Sequence, residues 1–258
     1  MNTKRLLKSL LVLTVTMTTV SCVHAGRTIH ITDDKLVSET RPLKGFEQIE
    51  INGSPTVYYN QADTFSVKVE GNQTGVENIL TEVSGDKLII RNRGKVGVVN
   101  IVVSDNEQAS VHITSPDLIG VTLNGSGDFI SERRVDTDNM QVVLRGSGDV
   151  DIKDLICDRC EVELVGSGDI DLDRVDTREA SAVLVGSGDI DLKLLRTAST
   201  RLSLKGSGDI DAQFSEGCGS VACELRGSGD INLEGQVHQF TKQKSGSGDI
   251  NTDRLTIR

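Results

Sequence analysis

A four-residue string, Gly-Ser-Gly-Asp, recurs seven times in this chain. It stands at Gly125–Asp128, Gly146–Asp149, Gly166–Asp169, Gly186–Asp189, Gly206–Asp209, Gly227–Asp230 and Gly246–Asp249. The interval between successive strings varies by no more than one residue either way. So regular a period, at about 20 residues, points to stacked repeats, because one such unit cannot bury its own apolar surface and a stack can.

Short alternations flank each string. Val162 and Leu164 precede the third, and Ile170 and Leu172 follow it, with Asp171 and Asp173 on the other parity. The fourth repeats this with Ala182, Leu184, Ile190 and Leu192. Period-two alternation over short runs means strands with one buried face. A third apolar residue follows three positions on, at Leu155, Val175 and Leu195, and a polar run such as Asp176-Thr177-Arg178-Glu179 reads as a turn. The fold class expected is all-β: a parallel β-solenoid, or β-helix, with about 20 residues per coil. Its core is a set of ladders, Leu144-Leu164-Leu184-Leu204-Leu225 and Val150-Ile170-Ile190-Ile210-Ile231-Ile250. Aromatics are only 3% of the residues and Trp is absent, which suits a narrow ladder core of small and branched side chains.

The glycines follow from the same parity. Gly146, Gly148, Gly166, Gly168, Gly186, Gly188, Gly206 and Gly208 share the inward parity of the flanking apolar residues. Ser167 and Asp169 then point outward. Inward glycine lets the backbone bend sharply or approach the opposite wall, so a Cβ there is expected to crowd the interior.

Residues 1–25 read as an export signal. Lys4, Arg5 and Lys8 form the basic start, Leu10 to Val20 the apolar stretch, and Val23-His24-Ala25 the cleavage pattern. A rival reading takes Thr19-Val20-Ser21-Cys22 as a lipoprotein box with Cys22 acylated. Removal of this segment takes away three basic residues and no acidic one, so the net charge moves from −10 to −13. A chain this acidic is a poor partner for nucleic acid, and for a membrane unless lipidated at Cys22. Four cysteines remain: Cys157, Cys160, Cys218 and Cys223. The two pairs lie three coils apart, about 14 Å along the axis, too far for one tetrahedral zinc site. Small buried residues or a local disulfide is the reading that remains.

Residues 26–44 are polar and read as a flexible lead-in to a single solenoid domain over 45–258, irregular over 45–117 and regular over 118–258. Ile49 and Ile51 alternate, Asn52-Gly53-Ser54-Pro55 turns, and strands follow at Thr56–Tyr59 and Phe65–Gly71. Thr74 to Val83 is the one expected helix, with Val76, Ile79, Leu80 and Val83 on one face. Strands are expected at Leu88–Ile90, Val98–Val103 and Ser110–Thr114. These elements, in this order, with Phe46-Glu47-Gln48-Ile49, Pro116-Asp117-Leu118 and the Gly-Ser-Gly-Asp run, resemble the auto-transporter adhesin head GIN domain family. That family occurs mainly in exported proteins of Bacteroidetes-type bacteria, and the resemblance covers about residues 41–257. It implies a parallel β-helix-like fold and an extracytoplasmic, adhesin-like role in the periplasm, the outer membrane or at the cell surface. It transfers no catalytic residue.

Outward Asp149, Asp169, Asp189, Asp209 and Asp230, with Asp128 and Asp249 at the ends, form one carboxylate column. Asp151, Asp171, Asp191 and Asp211, then Asn232 and Asn251, form a second. Like charges about 4.8 Å apart in water repel by about 0.9 kcal/mol before screening. Hydrogen bonds to nearby N–H groups offset that in the simplest case. Calcium bridging adjacent coils is the alternative, making the column a candidate metal site in a calcium-stapled adhesin. No other cofactor is expected. A polysaccharide-active enzyme is the other alternative, but a catalytic carboxylate pair is unique and sits in a cleft, and a column of equivalents does not meet that description. The mature chain has three histidines, His30, His112 and His238, and none stands beside a nucleophile candidate in the sequence. The function expected is therefore a non-catalytic exported envelope or surface protein that binds an extracellular glycan or protein. In the last coil, Phe240, Lys242 and Lys244 take the inward parity and are expected to cap the stack.

Overall fold

The computed structural model describes residues 36–93 and 109–258. The export signal, Cys22, His30 and the strand expected at Val98–Val103 lie outside the described residues. The described residues all belong to one unit.

The N-terminal part builds β1 (Leu36–Arg41), β2 (Gln48–Gly53), β3 (Thr56–Gln61), β4 (Ser66–Asn72), α1 (Gln73–Asn78), β5 (Ile79–Ser84), β6 (Lys87–Asn92) and β7 (Ala109–Ser115). β2 and β3, joined by Gly53-Ser54-Pro55, are a coil of the solenoid. On one side they carry β6 and β7, both parallel. On the other they carry β8 (Gly120–Gly125) and β9 (Asp128–Asp136), again parallel. Gln48–Gly53 thus lies opposite Gly120–Gly125, and the Asn124 amide donates to Asn52 Oδ1 at 3.0 Å. The irregular half is a coil with an insertion that turns back over its own end.

That end is closed by antiparallel strands. β5 pairs with β6, β4 with β7, and β1 with β4. The lead-in expected to be flexible over 26–44 is therefore a strand at Leu36–Arg41. Its backbone completes the β4 ladder, and Val37 packs against the core. The expected helix is also shorter. Asn72 caps it, its Oδ1 accepting from Gly75 N at 2.7 Å, and it ends at Asn78. Ile79 to Ser84 is a strand instead, because the Gly85-Asp86 turn, with Gly85 at φ +66°, folds it onto β6. Val76 and Ile79 are buried under either reading, so the apolar spacing alone did not decide between them.

The regular coils are β10 (Asn139–Gly146), β11 (Asp149–Gly166), β12 (Asp169–Gly186), β13 (Asp189–Gly206), β14 (Ile210–Gly227), β15 (Ile231–Gly246) and β16 (Ile250–Ile257). Each pairs in parallel with its equivalent one coil on. Within a coil the inward residues fall in three sets, for β12 Ile170 and Leu172, Val175 and Thr177, then Ala180, Ala182 and Leu184. Parity slips at 173–174 and at 178–179 mark two corners, and the Gly-Ser-Gly string is the third. The expected ladders are the observed ones: Leu144, Leu164, Leu184, Leu204 and Leu225 stack in register and are fully buried. Each such leucine contributes about 1.5–3 kcal/mol by leaving water.

Two inward assignments differ. In β13 the buried residue opposite Val175 is Leu194, and Leu195 is half-buried. Arg196, at φ +51°, absorbs the extra residue at the corner. Thr177, placed by its polar neighbours in a surface turn, is 2% exposed and lines the core.

Candidate functional site

The glycine corner sets the geometry of the outer face. Gly168 is buried and Gly166 half-buried, while Ser167 and Asp169 are exposed. The reason for glycine differs from the one expected. A Cβ built on Gly146, Gly148, Gly166, Gly168, Gly186, Gly188, Gly206 or Gly208 would lie 1.9–2.0 Å from the carbonyl oxygen of the equivalent glycine one coil below. The crowding is along the stack, between coils, and not in the interior. The first glycine of each string also has φ between +144° and +152° in these coils. The column begins at Gly53 and Pro55, whose carbonyls face Gly125 and Gly127.

Close stacking leaves the corner N–H groups in need of acceptors. Ser167, Ser187 and Ser207 each donate their backbone N–H to the glycine carbonyl below, at 2.9 Å. The aspartates then serve one another. Asp149 Oδ1 accepts from Asp169 N at 3.2 Å, Asp169 Oδ1 from Asp189 N at 3.0 Å, and Asp189 Oδ1 from Asp209 N at 2.9 Å. Asp209 and Asp230 continue the staircase at 2.8 and 2.7 Å. The column is held by hydrogen bonds between coils, each charge resting on a backbone N–H of the next.

The second column behaves differently. Asn251 Nδ2 donates to Asn232 Oδ1 at 2.7 Å, and Asn232 Nδ2 to Asp211 Oδ1 at 2.6 Å. Above that amide ladder stand Asp211, Asp191 and Asp171 in register. Partial burial, then the neighbouring Asp171 carboxylate and the charges of Asp211 and Asp189, push Asp191 up to about 6. Lys153 reaches Asp151 of this column at 3.0 Å, and the lysines otherwise pair with Asp173. Asp173 takes Lys153 at 2.8 Å and Lys193 at 2.5 Å, which holds its carboxyl below the usual range. Asp154 lies between Arg134 and Arg174, at 2.8 and 2.7 Å. Burial works to raise its carboxyl, but the hydrogen bonds from the two guanidinium groups outweigh burial and lower it. Those columns alternate in sign, whereas among the described residues no ion pair reaches the strip of Asp169, Asp171, Asp189, Asp191, Asp209 and Asp211. Asp171, Asp191, Asp211 and Asn232 line a shallow surface groove. Among the described residues, no group of three or more His, Cys, Asp or Glu side chains is placed to hold a metal ion.

Sequence reading missed one constellation. Ser110 Oγ lies 3.1 Å from His112 Nε2, and Glu70 Oε2 lies 3.4 Å from the same nitrogen. Cross-strand register on β4 and β7 brings them together. A hydrolytic triad needs the hydroxyl on one ring nitrogen and the acid on the other; here both meet Nε2. His112 also stacks on Tyr58, ring centroids 5.0 Å apart. His238 is exposed, its Nδ1 3.1 Å from Arg258 O.

The family described as "Putative auto-transporter adhesin, head GIN domain" matches residues 45–219. The chain belongs to this family. A solved "putative adhesin" of Bacteroides fragilis is 26% identical, with a TM-score of 0.74 over 84% of this chain and 96% of that one. A "putative lipid binding protein" of Parabacteroides distasonis, 20% identical, superposes with a TM-score of 0.67 over 85% of this chain and 98% of that one. A "putative adhesin" of Parabacteroides merdae does so at 16% identity, with a TM-score of 0.59 over 85% and 98% of the two chains. The last two share the fold. No curated protein matches. Among the described residues no helix is long and apolar enough to cross a membrane.

Proposed function

We propose that this head GIN domain protein is exported, non-catalytic and adhesive, and that its acidic outer face binds a basic protein surface. The observation that carries the reading is the in-register strip of Asp169, Asp171, Asp189, Asp191, Asp209 and Asp211, repeated over three coils while the cations beside it are engaged by Asp173. A repeated face offers many equal contacts and suits avidity over a single catalytic event. A partner rich in Lys and Arg meets such a strip at a favourable potential. Calcium between the coils is the second reading; Asp149, Asp169, Asp189, Asp209 and Asp230 each already accept a backbone N–H, which leaves oxygen lone pairs for a cation but no closed cage.

Binding to arrays of extracellular proteins and of glycans, compared at low and high salt, tests the reading. Expected is a protein signal that falls steeply with salt and is reduced at least tenfold by joint Asp169→Asn, Asp171→Asn, Asp189→Asn and Asp191→Asn substitution. A salt-insensitive signal unchanged in that variant, or release of products from a polysaccharide, overturns it. Protease shaving of intact cells against fractionated envelopes decides which compartment the face meets.

A further inference from the structure

The corner at 178–179 and its equivalents is held from inside by a column of small polar side chains. Thr177 Oγ1 lies 3.1 Å from both Asp158 O and Glu179 O. Thr197 Oγ1 donates to Leu195 O at 3.4 Å, and Cys218 Sγ to Ser220 O at 3.8 Å. Cys157 occupies this column one coil below Thr177. Its coil alone carries a second thiol on the far side of the corner: where β12, β13 and β14 have Ala180, Thr200 and Val221, β11 has Cys160.

The two thiols are therefore inward neighbours across the two-residue corner Asp158-Arg159, both buried. Cys157, 6% exposed, also forms part of the wall of a surface groove with Asp136, Asp138, Asp158, Asp176, Arg178 and Arg196. Cys160 sits behind it, 1% exposed. Cys218 and Cys223 lack this arrangement. Cys218 is bonded to Thr200 and to Ser220 O, and Cys223 faces Lys242.

We propose that Cys157 and Cys160 are a dithiol–disulfide pair, Cys157 the entering thiol at the groove and Cys160 the resolving thiol behind it, oxidised by exchange with disulfide compounds. The hydrogen bond from Cys160 lowers Cys157, against its burial, and so favours the thiolate that must attack. The same bond, with complete burial, holds Cys160 well above the ordinary thiol range. The Cys157 thiolate attacks one sulfur of the incoming disulfide, forming a mixed disulfide and releasing one thiolate, which takes up a proton. Cys160 then loses its proton and attacks the Cys157 sulfur, forming the Cys157–Cys160 bond and releasing the second thiol. Two protein thiols are oxidised and one disulfide is reduced to two thiols, so electrons and protons balance.

The full chain, reduced and desalted, is exposed to oxidised glutathione at mildly alkaline pH, alkylated and mapped by peptide mass. Expected is loss of two hydrogens from the segment holding Cys157 and Cys160, with Cys218 and Cys223 still free when the protein is later unfolded. Cys160→Ser accumulates glutathione on Cys157, and Cys157→Ser leaves Cys160 unmodified. The proposal is overturned if both thiols stay free in the native wild type while the unfolded chain oxidises. A disulfide to any other cysteine overturns it as well. So does Cys160 reacting in Cys157→Ser at the wild-type rate, or Cys160→Ser trapping no adduct. The wild-type map reads the outcome even where a variant folds poorly.

Discussion

At the scale of single residues, the solenoid depends on positions where an atom is missing. Gly168 has its Cα against the Gly148 carbonyl, and the shortest side chain would place a carbon 1.9 Å from that oxygen. The obstacle is backbone, tied into the ladder on both sides, so it cannot swing away. Gly168→Ala is expected to destabilise by about 3 kcal/mol or more, whereas Ser167→Ala, on the exposed neighbour, changes stability by less than about 0.5 kcal/mol. Paired urea titrations measure both, and equal midpoints for the two variants refute the axial-clash account. Asp191 makes the opposite case, a charge the fold tolerates. Its folded pKa, about 6, lies above the ordinary carboxyl value. A raised carboxyl favours the folded state while protonated, so that contribution is present below about pH 4 and is lost as the pH rises through 6. Asp191→Asn removes the like charge between Asp171 and Asp211 and is expected to raise Tm at pH 7. Because Asp191 keeps contact with solvent, the gain is several tenths of a kcal/mol. The difference from wild type shrinks toward zero at pH 4. A gain independent of pH means that a new amide hydrogen bond, and not the charge, is responsible.

At the scale of elements, the two ends of the stack are treated differently. The N-terminal end is closed by antiparallel β1, β4 and β5, which turn the ladder direction and leave short edges. At the C-terminal end, β16 covers only the first part of β15. The second part puts Phe240, Lys242 and Lys244 on the rows of Val221, Cys223 and Leu225. Phe240 is half-buried, both lysines are exposed, and Lys244 pairs with Asp249. Charge on the inward parity of a terminal strand opposes addition of another strand, since a further coil would bury it. Lys242→Leu with Lys244→Leu is expected to promote end-to-end association at micromolar concentration, read by light scattering. A double variant that stays at the wild-type mass refutes the capping role. Val76, Ile79, Leu80 and Val83 fit a helical face, yet a tight turn after Ser84 made a hairpin cheaper than a second helical turn.

At the scale of the whole molecule, a short fixed period with two alternations in each repeat admits little besides a stacked coil. That is why the class, the Leu144 and Val150 ladders and the outward aspartates were legible from the repeats alone. Each of these depends on residues close in sequence and on a repeat that carries one coil onto the next. What the repeats could not carry is whatever depends on contacts across coils or across the insertion. The clash that demands glycine is with the carbonyl below, invisible to any reading of one strand's parity. The long return of β8 onto β2, the antiparallel closure and the strand at Leu36–Arg41 required the assembled sheet. So did the slip that buries Leu194 in place of Leu195, and the corner that turns Thr177 and Cys157 inward. The sequence by itself determined the coil, its core rows and its acidic columns, because alternation decides which side of a strand faces water. Only the tertiary structure decided where the corners fall, which charges are neutralised and which two thiols meet, because those depend on the register between chain segments.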